Sequence, residues 1–287
     1  DQSYVGGLVR ALNDGSKQLG FAATQADGTP LGYYVLDENL QLVRRDDAAL
    51  LQKHLSDTAL PSQVLQSDAA SVIFIDDSGK RWRLPKGDSP ENAPKDYRIC
   101  REVATERDMF NAAGSLYELP ADNAGGAAMM RPIASHGIQI LDFCSYRGLL
   151  IMSGVNMSAL PTSPHIIRAS DGKAALWAGV VDDIWKLGKP RGNGGPWMDS
   201  EAKANEPSDP YLMTGYDQKT LSLSAKQAVT VVAEIDITGR GNWVRYRSFQ
   251  LTPGKTETHR FDPAFSAYWI RFTAQSSATV TAQLKYQ

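Results

Sequence analysis

The sequence predicts an all-β chain: a partial β-propeller of about four blades over residues 1–206, followed by a small antiparallel β-sandwich over residues 207–287. Three observations carry this. Turn clusters of the Asp/Asn-Gly kind recur at Asp27-Gly28, Asp77-Ser78-Gly79, Asp122-Asn123-Ala124-Gly125-Gly126 and Asp171-Gly172, in steps of 50, 45 and 49 residues between their aspartates. Each lies beside strand-like runs, as Leu31-Gly32-Tyr33-Tyr34-Val35-Leu36 follows the first and Val72-Ile73-Phe74-Ile75 precedes the second. Helical periodicity is scarce; the best candidate is residues 46–55, whose first residues are acidic, where the helix dipole favours them.

A strand, a tight turn and a second strand make a hairpin, because Gly after Asp supplies the positive φ that primed turns require. A hairpin every 45–50 residues with room for two more strands is the spacing of a four-stranded propeller blade. A linear β-solenoid is the weaker alternative, since its coils are much shorter. The chain begins at Asp1 within what reads as a blade hairpin. Blades supplied by an upstream part of a longer precursor, or by a second chain, are therefore expected to complete the ring; otherwise two blade edges stay unpaired. From Pro207 onward, short alternating runs at residues 220–224, 229–237, 243–251, 256–261, 267–274 and 278–286 predict six strands of a sandwich. Between them and the last blade, the Gly/Pro-rich residues 186–197 read as a long ordered loop or linker.

Composition narrows the function classes. With 30 Lys and Arg against 32 Asp and Glu, the net charge of −2 argues against a nucleic-acid partner, whose phosphates call for a cationic surface. No apolar run approaches the roughly 18 residues needed to span a bilayer. Cys100 and Cys144 are too few for a disulfide scaffold or a thiolate cage; they read as buried thiols, with pairing left open. No HExxH or clustered Cys/His spacing supports a zinc site, and the Gly-rich stretch lacks the P-loop pattern. No cofactor is expected, with Ca²⁺ among paired aspartates the sole candidate.

The candidate chemistry lies in three charged runs inside otherwise apolar sequence: residues 99–108, 141–150 and 180–186. Buried charge is costly unless paired, so such runs line a polar cavity or form ion-pair networks. Read as one strand, the first run sets Glu102 and Glu106 on one face, about 13 Å apart, too far for a glycosidase pair without a carboxylate from a neighbouring blade. Asp142, Asp182 and Asp183 are the candidates for it. Arg101, Arg107 and Arg147 either bind substrate or neutralise these acids in structural networks. An eliminative reaction would need a base, for which His136, just ahead of the second run, and Tyr146 within it stand near Arg147. Arg191 and Trp197 in the Gly-rich stretch are expected to overhang a channel mouth, or to pin the loop down.

The second turn, Asp77-Ser78-Gly79-Lys80-Arg81-Trp82, resembles the Asp-box of sialidase-like propellers, Asp-x-Gly-x-x-Trp. It departs from that pattern in having Ile75 where Ser or Thr usually stands, and Asp171-Gly172 with Trp177 is a degenerate copy. In that family the box is structural: its Asp ties the turn and its Trp packs between blades. Over most of its length the chain is similar to the C-terminal part of secreted bacterial propeller-plus-sandwich proteins of unassigned function, a resemblance that transfers no catalytic residue. By analogy with propeller folds, whose ligand sites form at one mouth, the expectation is a secreted or periplasmic carbohydrate-active protein, a glycoside hydrolase or polysaccharide lyase, taking an oligo- or polysaccharide there. The catalytic set is then Glu102, Glu106, Asp142, Tyr146 and His136, with Arg101, Arg107, Arg147, Asp182, Asp183, Arg191 and Trp197 binding substrate. The alternatives are a non-catalytic glycan- or protein-binding module, or one half of a split propeller that needs a partner chain.

Overall fold

The computed structural model describes residues 4–12, 14–25, 27–56, 64–87, 100–104, 107–158 and 163–287. Strands make up 53% of it; the α-helix Ala48–Ser56 and three short 3₁₀ segments accompany them. No helix among the described residues is long and apolar enough to cross a membrane. The chain divides into two compact units, each built from separated segments: residues 1–62, 89–114 and 136–187 in the first, and residues 63–88, 115–135 and 188–287 in the second. This division does not follow the expected boundary at 206/207.

In the first unit, Tyr4–Ala11, Leu19–Gln25, Pro30–Leu36 and Leu42–Arg45 form an antiparallel meander, with Val155–Asn156 added beside Tyr4–Ala11. Its turns follow one device. The carboxylates of Asp14, Asp27 and Asp37 accept the N–H groups of Ser16, Thr29 and Asn39 two residues on, closing Asx turns. A second sheet runs Phe143–Tyr146, Leu149–Met152, Ala175–Gly179, Ile166–Arg168. It departs from a simple meander, because Val155–Asn156 leaves it for the first sheet. Its first hairpin turns at Arg147-Gly148, where φ values of 50° and 82° give the primed geometry that matches strand twist. Val9, Phe21, Tyr34 and Leu36 of one sheet and Tyr146, Ile151 and Leu176 of the other share one core.

The helix Ala48–Ser56 falls where the sequence places one. Asp47 caps it by accepting the Leu50 N–H at 2.8 Å, a helix N-cap contact. Leu50, Leu51 and Leu55 pack on Leu8, Ala22, Tyr33 and Val35, and His54 is buried with its ring edge-on to Tyr33. Two expectations are corrected. Residues 122–129 form two successive 3₁₀ turns, Asp122–Ala124 and Gly126–Met129, rather than a tight hairpin turn. The third charged run is likewise the 3₁₀ segment Val181–Lys186, not a strand.

Two sheets lie wholly within the second unit, which also carries the antiparallel pair Ser115–Pro120 and Arg131–Ser135. One has the order Gly192–Ala202, Ala278–Tyr286, Lys219–Ala225, Thr256–Arg260; the other runs Trp243–Leu251, Val229–Asp236, Trp269–Ala274, Tyr211–Leu212, Arg81–Leu84, Val72–Ile75, Leu65–Ser67. Strict alternation of buried and half-buried residues marks Lys219–Ala225 and the first six residues of Val229–Asp236 and of Ala278–Tyr286 as strands with one face in a core. The second half of the stretch expected as a loop or linker is strand: Gly192–Ala202 pairs with Ala278–Tyr286, and its register breaks between Gly194 and Trp197 and again between Trp197 and Ser200. Gly and Pro in this run masked a strand that proceeds by bulges.

Residues 63–88 join this unit through Arg83. Its guanidinium donates to Asp209 at 2.9 Å, to Asp68 at 2.8 Å and to the Ser71 hydroxyl at 2.9 Å. Burial works to raise the Asp68 carboxyl, but bonds from the Ser71 N–H and from Arg83 outweigh it and hold the group below its ordinary value. In the Asp-box-like turn, Asp76 rather than Asp77 does the tying. One Asp76 oxygen accepts the N–H groups of Ser78 and Lys80, each at 3.0 Å, and the other accepts Trp82 Nε1 at 2.7 Å.

Candidate functional site

The first charged run is a hairpin, Cys100–Ala104 and Arg107–Ala112, so it is two strands where one was expected. Glu106 lies outside the described residues, as do the side chains of Cys100 and Arg107. The hairpin register pairs Arg101 with Met109 and Glu102 with Asp108, with an irregularity between Glu102 and Ala104. Residues directly opposite share a face with Cβ atoms about 4.5–5.5 Å apart, so Glu102 and Asp108 present two carboxyl groups side by side. Glu102 is exposed and Asp108 half-buried. Burial, and then the Glu102 charge across the hairpin, raise the Asp108 carboxyl above its ordinary value. Asp108 was not singled out in the sequence, because reading residues 99–108 as a single strand hides a cross-strand partner.

On the opposite face, Arg101 turns inward. Its Nη1 donates to the carbonyls of Val9 at 2.8 Å and Phe143 at 2.9 Å, and lies 3.6 Å from Asp142 Oδ1. Asp142 has no exposed surface, and its Oδ2 accepts the Val9 N–H at 2.8 Å. The two meet as the sequence anticipates, but as a buried tie between strands. A carboxylate shut off from solvent cannot reach a saccharide.

The remaining predicted residues in this unit are dispersed. The Tyr146 hydroxyl donates to the Lys17 carbonyl at 3.0 Å and the ring is buried. Arg147 sits at the hairpin tip, 3.6 Å from Glu38. His136 is buried; its Nε2 is 2.8 Å from Asn111 Oδ1 and its Nδ1 accepts the Ile138 N–H at 3.2 Å. Burial lowers its pKa to about 4. Asp183 accepts the Lys186 ammonium at 2.7 Å and the Val180 N–H at 3.0 Å, and these bonds hold its carboxyl low. Asp182 beside it is exposed.

Arg191 and Trp197 belong to the second unit. The Arg191 N–H donates to the Ser135 hydroxyl at 2.9 Å. Trp197 is 8% exposed and lies 6.2 Å from Phe272, a packing residue rather than a stacking platform. Among the described residues no group of three or more His, Cys, Asp or Glu is placed to hold a metal ion. Within the first charged run, the described residues bring two acids together as the Glu102/Asp108 pair, of which Glu102 is exposed and Asp108 stays protonated to a higher pH than an ordinary aspartate.

No family model matches the chain, and no curated protein matches it. Among solved structures, the chain aligns with a Bombyx mori GH32 beta-fructofuranosidase at 9% identity and a TM-score of 0.21, covering 100% of this chain and 80% of that one. A variant of that enzyme in complex with sucrose aligns at 9% identity and a TM-score of 0.19, covering 96% of this chain and 77% of the other. Superpositions this low carry no argument about activity.

Proposed function

We propose that this chain is a secreted or periplasmic carbohydrate-active protein, a glycoside hydrolase whose reacting carboxyls are Glu102 and Asp108, on a scaffold of partial propeller blades and a β-sandwich. Analogy with propeller folds suggests the substrate class, and the register that sets Glu102 opposite Asp108 supports the chemistry. Glycoside hydrolysis needs one carboxylic acid to protonate the leaving oxygen and one carboxylate to act as nucleophile or base. Asp108, raised in pKa, suits the acid; Glu102, exposed, suits the carboxylate. Hydrolysis is favoured over elimination because the two bases expected for a lyase are engaged: His136 is buried and the Tyr146 hydroxyl is committed to the Lys17 carbonyl.

The test is turnover on a panel of oligosaccharides by the parent, Glu102→Gln and Asp108→Asn. Each variant loses about 10²- to 10⁴-fold in kcat, the worth of a positioned acid or base. Unchanged urea midpoints show that the fold is intact. Full activity in both variants, or no cleavage of any sugar by the parent, overturns the assignment.

A further inference from the structure

The second unit contains a cleft of about 520 Å³ whose lining includes Lys80, Trp82, Asn123, Met129, Gly239 and Arg240. It carries two exposed cations, Lys80 and Arg240. The Lys80 ammonium lies 3.7 Å from the centroid of the Trp82 ring, a cation–π contact that positions the charge without neutralising it. The ring is itself fixed, its Nε1 bonded to Asp76 at 2.7 Å and its centroid 4.6 Å from that of the tilted Trp269 ring. Trp269 Nε1 in turn donates to the Ala128 carbonyl at 2.7 Å, which fixes the opposite wall.

Arg240 stands at the tip of a loop that Asp236 organises. Its carboxylate accepts the N–H groups of Thr238 at 3.2 Å, Gly239 at 3.0 Å and Gly241 at 2.6 Å. Gly239 has φ +72°, and a Cβ there would come within 2.8 Å of the Ala128 carbonyl and 2.9 Å of the Met129 sulfur, so only glycine lets the loop lie on that wall. The charges of Asp76 and Asp236 reach Lys80, but their oxygens are occupied by turn N–H groups and the Trp82 indole rather than by the ammonium. Among the described residues neither Lys80 nor Arg240 forms an ion pair. Lys80, partly desolvated and in no direct ion pair, gains from a bound anion, and the exposed Arg240 beside it adds a second positive charge to the same cleft.

We propose that this cleft is a binding subsite for an anionic saccharide, with Lys80 and Arg240 taking its carboxylate or sulfate group and Asn123 a neighbouring hydroxyl. The saccharide part rests on the carbohydrate reading above; the anion part rests on the cleft alone. The volume suits a small-molecule ligand. Burial also lowers the Lys80 pKa, and a bound anion would reverse that effect.

The experiment is calorimetric titration of the Glu102→Gln/Asp108→Asn protein, which leaves the ligand uncleaved, with trigalacturonate, with its carboxyl-reduced neutral counterpart, and with sodium sulfate alone. Trigalacturonate binds, the reduced sugar does not, and Lys80→Gln or Arg240→Gln weakens binding about tenfold or more, the worth of one charge-assisted bond. Equal binding of the neutral sugar, or unchanged affinity in both variants, overturns the proposal. Sulfate binding as tightly as the sugar overturns its saccharide part. Because binding is read apart from turnover, an inactive parent that still binds trigalacturonate here sinks only the hydrolase reading.

Discussion

Asp142→Ala lowers the stability of the protein by about 3–5 kcal/mol, the cost of removing one partner from a buried ion pair and leaving the other uncompensated. The carboxylate has no exposed surface, accepts the Val9 N–H at 2.8 Å and lies 3.6 Å from the Arg101 guanidinium. Its main chain is held as firmly, with the Asp142 N–H donating to the Ser153 hydroxyl at 3.0 Å and that hydroxyl donating to the Gly7 carbonyl at 2.8 Å. Truncation strands the Val9 N–H and removes the charge facing Arg101. Asp142→Asn keeps an oxygen for Val9 and loses only the charge, so its cost is smaller, about 1–3 kcal/mol. Urea unfolding at neutral pH measures both. A loss below about 1 kcal/mol for the alanine variant would show that Arg101 and Val9 find other partners. The order Ala worse than Asn separates this structural role from a catalytic one, in which the two variants would fail alike in turnover with unchanged midpoints.

The same residue shows how far the sequence carries the site. A buried charge between apolar neighbours, Leu141-Asp142-Phe143, announces that a partner exists, and Arg101 is that partner. What the pattern leaves open is whether the pair faces a cavity or closes a seam, because alternation along a strand assigns faces without saying what covers them. Glu102 and Asp108 show the complementary limit. Their proximity depends on where the chain reverses, and Ala104-Thr105-Glu106-Arg107 contains neither Gly nor Pro to mark a turn. Where turn chemistry is explicit in the sequence, as at Asp27-Gly28, the hairpin falls at those residues, whereas the turn at Arg147-Gly148 lies hidden inside a run that reads as one strand. Strands after Pro207 were legible because their core faces alternate cleanly. The Gly192–Ala202 strand was not, since its glycines fit a strand only by bulging. Nor can local pattern reveal that Arg83 reaches Asp209, a pairing across more than a hundred residues that draws residues 63–88 into the second unit.

Acidification of the protein from pH 6.5 to pH 4 costs about 3 kcal/mol of stability through His136 alone. In the folded chain burial lowers this imidazole to about 4 from an ordinary 6.5, and a tenfold change in proton affinity between the folded and unfolded chain is worth about 1.4 kcal/mol. Above pH 6.5 the ring is neutral in both the folded and unfolded chain, so its contribution is complete there. Below 6.5 the unfolded chain takes up a proton that the folded chain refuses, so stability falls with pH until the folded ring titrates near 4. The geometry fixes the neutral form. With Nδ1 accepting the Ile138 N–H, the ring proton resides on Nε2 and is donated to Asn111 Oδ1, whose own amide donates to the Ile140 carbonyl at 3.2 Å. A second proton on Nδ1 would set two donors face to face. His136→Gln keeps a donor and an acceptor but does not titrate, so the difference between parent and variant urea midpoints isolates the histidine from carboxylates such as Asp68, whose depressed titration is common to both proteins. The parent midpoint falls more steeply than the variant's between pH 6.5 and 4, and the two curves run parallel above 6.5. Parallel curves over the whole range would mean that the ring is solvated when charged, and that the segment following it opens at little cost.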